Sequence, residues 1–571
     1  MTEKKQTTKE DYSKIRSILK GKKLLFSPWS AEDRFYVAYQ QWFFPLKRLF
    51  GSVVTFDPKK IISLFGKGKM NKLFLDLVKK EQPDFIFFWL ITDEFALETL
   101  DKIKEISPNT KTINFFGDDD ERFDNFTNYY SLFFDYCLVY PQLPIDFYKK
   151  QELNNIFLSC GINTENFRRL NLKKEYDVTF VGTPKKDRYD YIKFLLDKGV
   201  NIKVFGPGWG IYRDLSPVYY GPLNNEDLVK VINKTKINLA FTKNYQKGAH
   251  LKSRVFEIAG CSSFVLSEYS PSVSRFFNDG REIESFKDSS ELLKKVLYYL
   301  HNETEREKIA EGGYKKTISR YNFYLELQNF FHKILTDKNF KKKEFKTKKK
   351  IYILKKNDLK IPFHTLKDKI EEFDYISFDD GQCKSSPYKL PLQAYSLEST
   401  KKNISCCNYY VYSPNLGNYL SFLSVNALRS LGKEKFARFI SINQLMVTKE
   451  FFLSNMELLK NMFIGKKIPF LDENNTAFVT APLLRLVYSI SNQSYKILKK
   501  AFTMKFIDAL SSLVYQKKFF TSPYPYHLFF ESLNKKLFIL KYIYEKNIRN
   551  KKHLARFKGV FFRNQGFYTK I

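Results

Sequence analysis

The sequence predicts an α/β protein in which two Rossmann-like domains face each other across a cleft, followed by a basic C-terminal region. Short β-rich runs alternate with helical periods from Lys22 onward, and a second series of the same kind begins at Tyr176. A lysine-rich stretch at 336–350 then separates this part from a region of different composition. The length of 571 residues agrees with about three domains, since a domain usually holds roughly 100 to 200 residues.

The first series contains five strand-like runs, which are KKLLFSPW, VVTFD, FIFFWL, TINFFGDD and CLVY. Helical periods at 71–80 and 95–106 lie between them, the βαβ pattern of a parallel sheet. The second series contains the strands DVTFVGTP, NIKVFGPGW, INLAFT and FVLSEY, with helices at 189–196 and 225–234 and from about Arg254. Helices at 289–300, 303–319 and 323–335 complete this series.

These patterns divide the chain into five parts. They are an N-terminal extension at 1–21, a first domain at 22–165, a second at 166–335, a linker at 336–350 and a basic, aromatic-rich region at 351–571. The linker holds eight lysines and almost no apolar residues, so it cannot bury a core. The last region is predicted to be α-rich within an α+β arrangement, because long helical periods such as that at 494–515 dominate it.

Composition excludes several classes of protein. With 43% apolar and 17% aromatic residues, the chain is neither collagenous nor wholly disordered. The six cysteines show no CxxC spacing and the six histidines are scattered, so neither a zinc site nor a disulfide framework is expected, and no metal ligand is assigned. The charged N-terminus lacks an apolar core, and no apolar run of about 18 residues occurs, which favours a cytoplasmic protein.

The positive charge is concentrated near the C-terminus. The chain has 96 Lys and Arg against 61 Asp and Glu, a net charge of +35, of which residues 341–571 carry +25 from 42 basic and 17 acidic residues. Such a region suits an anionic membrane surface, an anionic polymer or simply a lysine-rich proteome. We favour the membrane surface, on the inner face, and consider nucleic acid an unlikely partner because no nucleic-acid motif is present.

The stretch LKSRVFEIAG is the strongest candidate for a ligand site. Lys252 and Arg254 have the charge and hydrogen-bond donors to hold a diphosphate, and Glu257 could accept both hydroxyls of a ribose. The alternative is that Glu257 only forms an ion pair with Arg254 on the same helix. His250 has two interpretations, a contact to phosphate or sugar and a solvated loop histidine.

A second candidate is the sequence DVTFVGTPKKDR, in which a strand, a Gly-Thr turn and a helix start follow one another. Backbone N–H groups and the helix dipole favour phosphate at such a place, and Arg188 adds positive charge.

Taken together, DVTFVGTP, VFGPGW, GPLNNEDLVKVINKTKINL, LKSRVFEIAG and FFNDGREIESF resemble the CgeB-like (spore maturation protein) group of glycosyltransferases, over about residues 22–335. The resemblance implies a GT-B fold, with a nucleotide-sugar donor in the second domain and an acceptor approaching from the first. The acceptor would be a glycan, a lipid-linked molecule or a protein, and the function surface polysaccharide or glycoconjugate synthesis. No cofactor is implied, because the nucleotide-diphosphate sugar is the substrate.

The resemblance also assigns site residues. Glu257 matches the glutamate that binds the donor ribose, Gly182 and Thr183 match the phosphate-facing turn, and Gly206 with Trp209 match the strand end that lines the base side. One position departs from the pattern: many retaining relatives carry a glutamate eight residues before the ribose glutamate, where this chain has Ala249. The stereochemical course is therefore left open, as is a noncatalytic assembly or coat role on the same scaffold.

An inverting reaction needs a general base to take the proton of the acceptor hydroxyl. Asp118, Asp119 and Asp120 are the candidates, because they follow the strand TINFF at the carboxyl end, where open α/β sheets bind ligands. Capping of the following helix is the alternative role for this cluster.

The C-terminal region contains one further resemblance. The strand that ends in Asp379 and Asp380 is similar to the acidic metal-binding turn of GT-A glycosyltransferases. Only about 30 residues separate Lys350 from Asp379, too few for the nucleotide-binding half of such a domain. A degenerate GT-A-like remnant or an unrelated fold is therefore expected there.

Overall fold

The computed structural model describes residues 9–32, 39–91, 93–242, 251–336, 349–379, 383–413, 418–421, 445–456, 459 and 476–487. These residues form three β-sheets, two of them wholly parallel and one mixed. Each parallel sheet is flanked by helices, and the mixed sheet belongs to the C-terminal region.

The first domain is built on six parallel strands: β1 (Lys23–Pro28), β2 (Ser52–Thr55), β3 (Phe85–Trp89), β4 (Lys111–Phe116), β5 (Tyr136–Val139) and β6 (Ile156–Leu158). They pair in the order β2-β1-β3-β4-β5-β6. The central strands are continuous apolar runs because helices cover both faces of the sheet. The strand order reverses between β1 and β3, which places the ligand-binding crevice of this domain at the carboxyl ends of its strands.

Seven α-helices accompany this sheet: α1 (Lys9–Lys20), α2 (Phe44–Leu49), α3 (Pro58–Glu81), α4 (Leu97–Ile106), α5 (Asp119–Arg122), α6 (Thr127–Tyr130) and α7 (Ile145–Lys150). A π-helical turn at Tyr39–Phe43 precedes α2, and 3₁₀ turns at Phe123–Asn125 and Ser131–Phe133 flank α6. Asp57 begins α3 by accepting a hydrogen bond from the backbone N–H of Lys60 at 2.9 Å.

The second domain repeats this design with five parallel strands: β7 (Tyr176–Val181), β8 (Ile202–Phe205), β9 (Thr235–Ala240), β10 (Val265–Glu268) and β11 (Glu284–Phe286). They pair in the order β11-β10-β9-β7-β8. Its helices are α8 (Lys186–Asp197), α9 (Asn225–Lys234), α10 (Ser253–Gly260), α11 (Pro271–Ser274), α12 (Ser289–His301), α13 (Glu303–Arg320) and α14 (Phe323–Thr336), with 3₁₀ turns at Trp209–Ile211 and Arg213–Val218.

Helix α14 leaves the second domain and packs on the first. The ring of Phe323 stacks on Trp42 at a centroid distance of 4.4 Å, and Phe331 meets Phe50 edge-to-face at 5.2 Å. The start of this crossing lies beside the earlier connection between the domains, because Ile162 accepts a hydrogen bond from the N–H of Phe323 and donates one to Tyr321, both at 2.9 Å. The predicted pair of Rossmann-like domains in a GT-B arrangement is confirmed.

The described part of the C-terminal region is a mixed sheet of seven strands: β12 (Ile351–Lys355), β13 (Tyr375–Asp379), β14 (Cys383–Ser385), β15 (Ile404–Ser413), β16 (Asn418–Ser421), β17 (Leu445–Thr448) and β18 (Thr476–Val487). Its α-helices are α15 (Phe363–Ile370), α16 (Lys389–Thr400) and α17 (Lys449–Ser454). This is an α+β arrangement, with more strands than helices in the described part. The helical period at 494–515, on which the α-rich prediction depended, lies outside the described residues.

Candidate functional site

The turns after β7 and β8 approach each other through two glycines. Gly206 adopts φ of +120°, and a Cβ atom there would lie 2.3 Å from the carbonyl oxygen of Gly182. The N–H of Gly182 donates to the carbonyl of Phe205 at 3.0 Å, and the N–H of Gly206 donates to Gly221 at 2.9 Å. Only glycine fits at 206, since any side chain would collide with the neighbouring backbone. We use the name donor turn for the two contacting turns at Gly182 and Gly206 together with the residues that brace them.

Two predicted donor residues brace this turn from inside. The indole Nε1–H of Trp209 donates to the carbonyl of Gly182 at 2.7 Å, and the indole is fully buried. The guanidinium of Arg188 donates to the carbonyl of Thr183 at 2.9 Å and lies 5.7 Å from the ring centroid of Phe180. Both side chains therefore fix the backbone of the turn. The base-side role that the resemblance assigned to Trp209 stays a prediction.

Helix α10 brings the cationic pair and the glutamate together at the same edge of the second sheet. Lys252 is the residue that precedes the helix, and Arg254 lies in its first turn. The Arg254 Nη1 atom lies 2.8 Å from Oε2 of Glu257, whose side chain is buried. The ion pair considered as an alternative is thus present in the structure, and it does not test the ribose role. His250 and Ala249 lie outside the described residues.

The acidic turn, Asp118–Asp120, follows β4 in the first domain. Asp118 adopts a left-handed conformation with φ of 59° and makes no capping hydrogen bond to α5. A non-glycine residue held in this conformation is often found where function requires a fixed geometry. Asp120 is half-buried and lies in the first turn of α5.

Asp119 occupies a different environment from its neighbours. Its carboxylate is buried and accepts hydrogen bonds from the hydroxyls of Thr127 at 2.6 Å and Tyr148 at 2.7 Å. Burial raises the pKa of this carboxyl to about 6. Its backbone N–H donates to Oε1 of Gln142 at 2.8 Å, and Nε2 of Gln142 lies 3.3 Å from Oδ1 of Asp118. Gln142 therefore holds the backbone and one side chain of the acidic turn.

The loop after β5 connects the acidic turn to the second domain. Nη2 of Arg275 donates to the carbonyls of Pro141 at 3.0 Å and Gln142 at 3.3 Å. The ring of Tyr140 meets Phe256 of α10 edge-to-face at 6.5 Å. Burial raises the pKa of the Tyr140 hydroxyl well above its usual value, and the negative charges of Glu257 and Asp118 raise it further. The loop that holds the acidic turn therefore contacts the second domain at Phe256 of α10 and at Arg275.

The sequence offered little sign of the residues that form this junction between the domains. Tyr140 is the last residue of the strand-like run CLVY, whereas Gln142 and Arg275 belong to none of the motifs. The available signal was the position of Pro141 and Gln142 directly after a buried strand. Among the residues that the structure describes, no group of three His, Cys, Asp or Glu side chains could hold a metal ion. Within the same residues, no helix is long and apolar enough to span a membrane.

Comparison with known proteins assigns a class to the second domain. Residues 188–331 match the model of a family described as "Glycosyl transferase-like". The chain is also similar to the spore protein CgeB of Bacillus subtilis (strain 168), with 24% identity over 211 residues. That match covers 33% of this chain and 64% of the relative, slightly less than two thirds of its length. The resemblance to CgeB-like glycosyltransferases is confirmed.

Solved structures with folds similar to part of this chain include the following two. One is a glycosyltransferase from Rickettsia africae ESF-5, with 11% identity and a TM-score of 0.41, covering 55% of this chain and 99% of the other. The other is Alr3699/HepE from Anabaena, crystallised in complex with UDP, with 10% identity and a TM-score of 0.40 over the same shares of the two chains.

Proposed function

We propose that this protein is a glycosyltransferase that moves a sugar from a nucleoside-diphosphate donor to an acceptor hydroxyl. The observation that carries the proposal is the junction between the domains, where Phe256 of α10 contacts Tyr140 and Arg275 binds the loop whose Gln142 holds the acidic turn. A donor held by the second sheet would present its sugar toward that turn. Departure of the nucleoside diphosphate and attack by the acceptor hydroxyl would then take place between the two domains.

In this proposal the donor lies along the carboxyl edge of the second sheet. Lys252, Arg254 and the N-terminus of α10 would offset the negative charge that grows on the leaving diphosphate. Glu257 would accept the ribose hydroxyls, with Arg254 keeping its carboxylate in place through the 2.8 Å ion pair. Because the basic groups supply this stabilisation, we propose that the reaction needs no metal ion.

On the acceptor side, we assign proton removal to Asp118, for an inverting reaction. Asp119 is unsuited to that task, since its carboxylate is buried and already bonded to Thr127 and Tyr148. Asp118 is oriented by Gln142, which is itself bonded to Arg275 of the second domain, so Asp118 would take the proton of an acceptor hydroxyl that approaches from the first domain. Asp119 would then fix the position of its neighbour.

Calorimetric titration with UDP, GDP, TDP and CMP, and with their common sugar conjugates, tests the donor site. Replacement of Glu257 by alanine should weaken binding of the preferred nucleotide by about 10- to 100-fold, because hydrogen bonds to a charged group are lost. Glu175→Ala is the matched control: it removes an exposed glutamate at the opposite edge of the same sheet, paired with Lys234 at 3.0 Å. Unchanged affinity in Glu257→Ala would refute the donor site, and no binding of any nucleotide would refute the function.

The acceptor that we propose is a lipid-linked or membrane-proximal glycan of surface polysaccharide synthesis, met at the inner face of the membrane. The support is the net charge of +25 over residues 341–571, which an anionic leaflet would attract. Flotation with phosphatidylserine vesicles measures this attraction. Binding should fall steeply as salt rises, and equal binding to neutral vesicles would contradict the proposal.

A further inference from the structure

The acidic turn begins a longer stretch that lies between the first domain and the C-terminal region. This stretch, residues 118–133, contains α5, α6 and the two short 3₁₀ turns, and we call it the acidic segment. One side of it packs on the first sheet, where Phe126 meets Phe116 edge-to-face at 5.7 Å. Strand β18 of the C-terminal region lies against its other side, at 123–125 and 127–130.

Helix α16 contacts the acidic segment at the buried side-chain amide of Asn128 and at the neighbouring ring of Tyr129. The hydroxyl of Tyr395 donates to Oδ1 of Asn128 at 2.8 Å, and Nδ2 of Asn128 lies 3.4 Å from Oγ of Ser399. Asn128 is 1% exposed, so α16 supplies partners for an amide that water does not reach. The ring of Tyr395 also meets Tyr129 edge-to-face at 6.2 Å.

The bonded amide is next to the residue that holds the acidic turn. Thr127 precedes Asn128 in the chain, and its hydroxyl donates to Asp119 at 2.6 Å. A short path of hydrogen bonds and covalent bonds therefore runs from α16 through Asn128 and Thr127 to Asp119, the immediate neighbour of Asp118. The C-terminal region touches the candidate acceptor side of the enzyme through this path.

We propose that the C-terminal region is a positioning element for the reaction, and that Tyr395 of α16 holds the acidic segment in the geometry that Asp118 needs. This inference rests on the proposed function, because Asp118 acts as a base only if the chain transfers a sugar. Tyr395 touches no substrate in this proposal. Its effect reaches the chemistry through the backbone of the acidic segment.

A second hydrogen bond in the same interface provides a control. It tests whether any contact that joins the C-terminal region to the first domain has the same effect on the reaction as the contact of Tyr395. The hydroxyl of Tyr388 donates to Asp101 on α4 at 2.7 Å, and the ring of Tyr388 meets Phe133 edge-to-face at 5.1 Å. Tyr388 and Tyr395 thus each donate one hydroxyl hydrogen bond from the C-terminal region to the first domain. Of these two hydroxyls, that of Tyr395 is bonded next to Thr127, and that of Tyr388 is bonded to a different helix.

The experiment compares Tyr395→Phe with Tyr388→Phe in the full chain. Each change removes one hydroxyl and keeps the ring, so the packing of the interface is retained. In Tyr395→Phe we expect kcat to fall by about 3- to 10-fold, the loss of one hydrogen bond to a buried group, with the nucleotide Kd unchanged. In Tyr388→Phe we expect kcat within about twofold of the original.

Hydrogen exchange of the full chain supplies a readout that does not depend on turnover. Tyr395→Phe should raise the exchange rate of amides in residues 119–133, while Tyr388→Phe should leave them unchanged. Equal effects of the two variants on kcat, or faster exchange with no change in kcat, would overturn the proposal. If the original chain bound no nucleotide, the proposed function would fail on that result, and unchanged exchange in Tyr395→Phe would separately overturn the positioning role.

Discussion

The donor turn and the acidic turn both follow strands at the carboxyl edges of two similar parallel sheets, yet they are held by different means. The donor turn is fixed within its own domain, by Gly206, Trp209 and Arg188 around the backbone of Gly182 and Thr183. The acidic turn is fixed by residues from farther along the chain, namely Gln142, Tyr148 and, through Asn128, Tyr395. The proposed nucleotide site is thus held within one domain, while the proposed acceptor side depends on how several parts of the chain are assembled.

The largest expected effect sharpens this comparison on the acceptor side. Asp118→Asn removes the proposed base and keeps the size of the side chain, so kcat should fall by about 10²- to 10⁴-fold with the nucleotide Kd unchanged. Steady-state kinetics and calorimetry measure the two quantities. Asp146→Asn, at an exposed aspartate paired with Lys149, is the control and should keep full activity. Loss in Asp120→Asn instead would move the base to that residue.

A smaller effect tests whether the donor turn depends on the close approach of two strand ends. Gly206→Ala places a Cβ atom 2.3 Å from the Gly182 oxygen, and it should lower the free energy of unfolding by about 3 kcal/mol or more and weaken nucleotide binding. Gly199→Ala is the control, with φ of +76° and no atom within 4 Å of the added methyl group, so only about 1–2 kcal/mol should be lost. Urea unfolding measures the free energy of unfolding of both variants. Equal losses of stability would show that the close contact between Gly182 and Gly206 is not what excludes a side chain at 206.

The smallest effect concerns the buried carboxyl of the acidic turn. Because folding raises the pKa of Asp119 to about 6, the folded state favours the protonated form, and this stabilisation is lost as pH rises through 6. The stability advantage of the original chain over Asp119→Asn should therefore shrink between about pH 4 and pH 7, by up to about 3 kcal/mol. Urea unfolding across this range measures it. Asp146→Asn is the control, and its stability difference from the original chain should not vary with pH. A pH-independent stability difference for Asp119→Asn would contradict the buried environment of this carboxyl.

The same contrast explains what the sequence could predict. The donor turn was predictable because its residues lie in short motifs after two strands, and the contact of Gly182 with Gly206 follows from the pairing of β7 with β8. The junction of Tyr140, Gln142 and Arg275 was not predictable, because it depends on how the two domains are placed relative to each other. No short motif in the sequence determines that placement. The buried position of Trp209 and the contact of Tyr395 with Asn128 likewise depend on tertiary packing.

The side-by-side crossings at Ile162 and at Tyr321–Phe323 have a consequence for motion. Because the two chain connections are hydrogen-bonded to each other, any opening or closing of the domains would turn about this one pivot, and separating the connections would break both hydrogen bonds. Gly161 keeps the pivot narrow, because a Cβ atom there would lie 2.4 Å from the Tyr321 oxygen. A change of opening angle at this pivot would alter the distance between donor and acceptor sides while leaving the interior of each domain untouched.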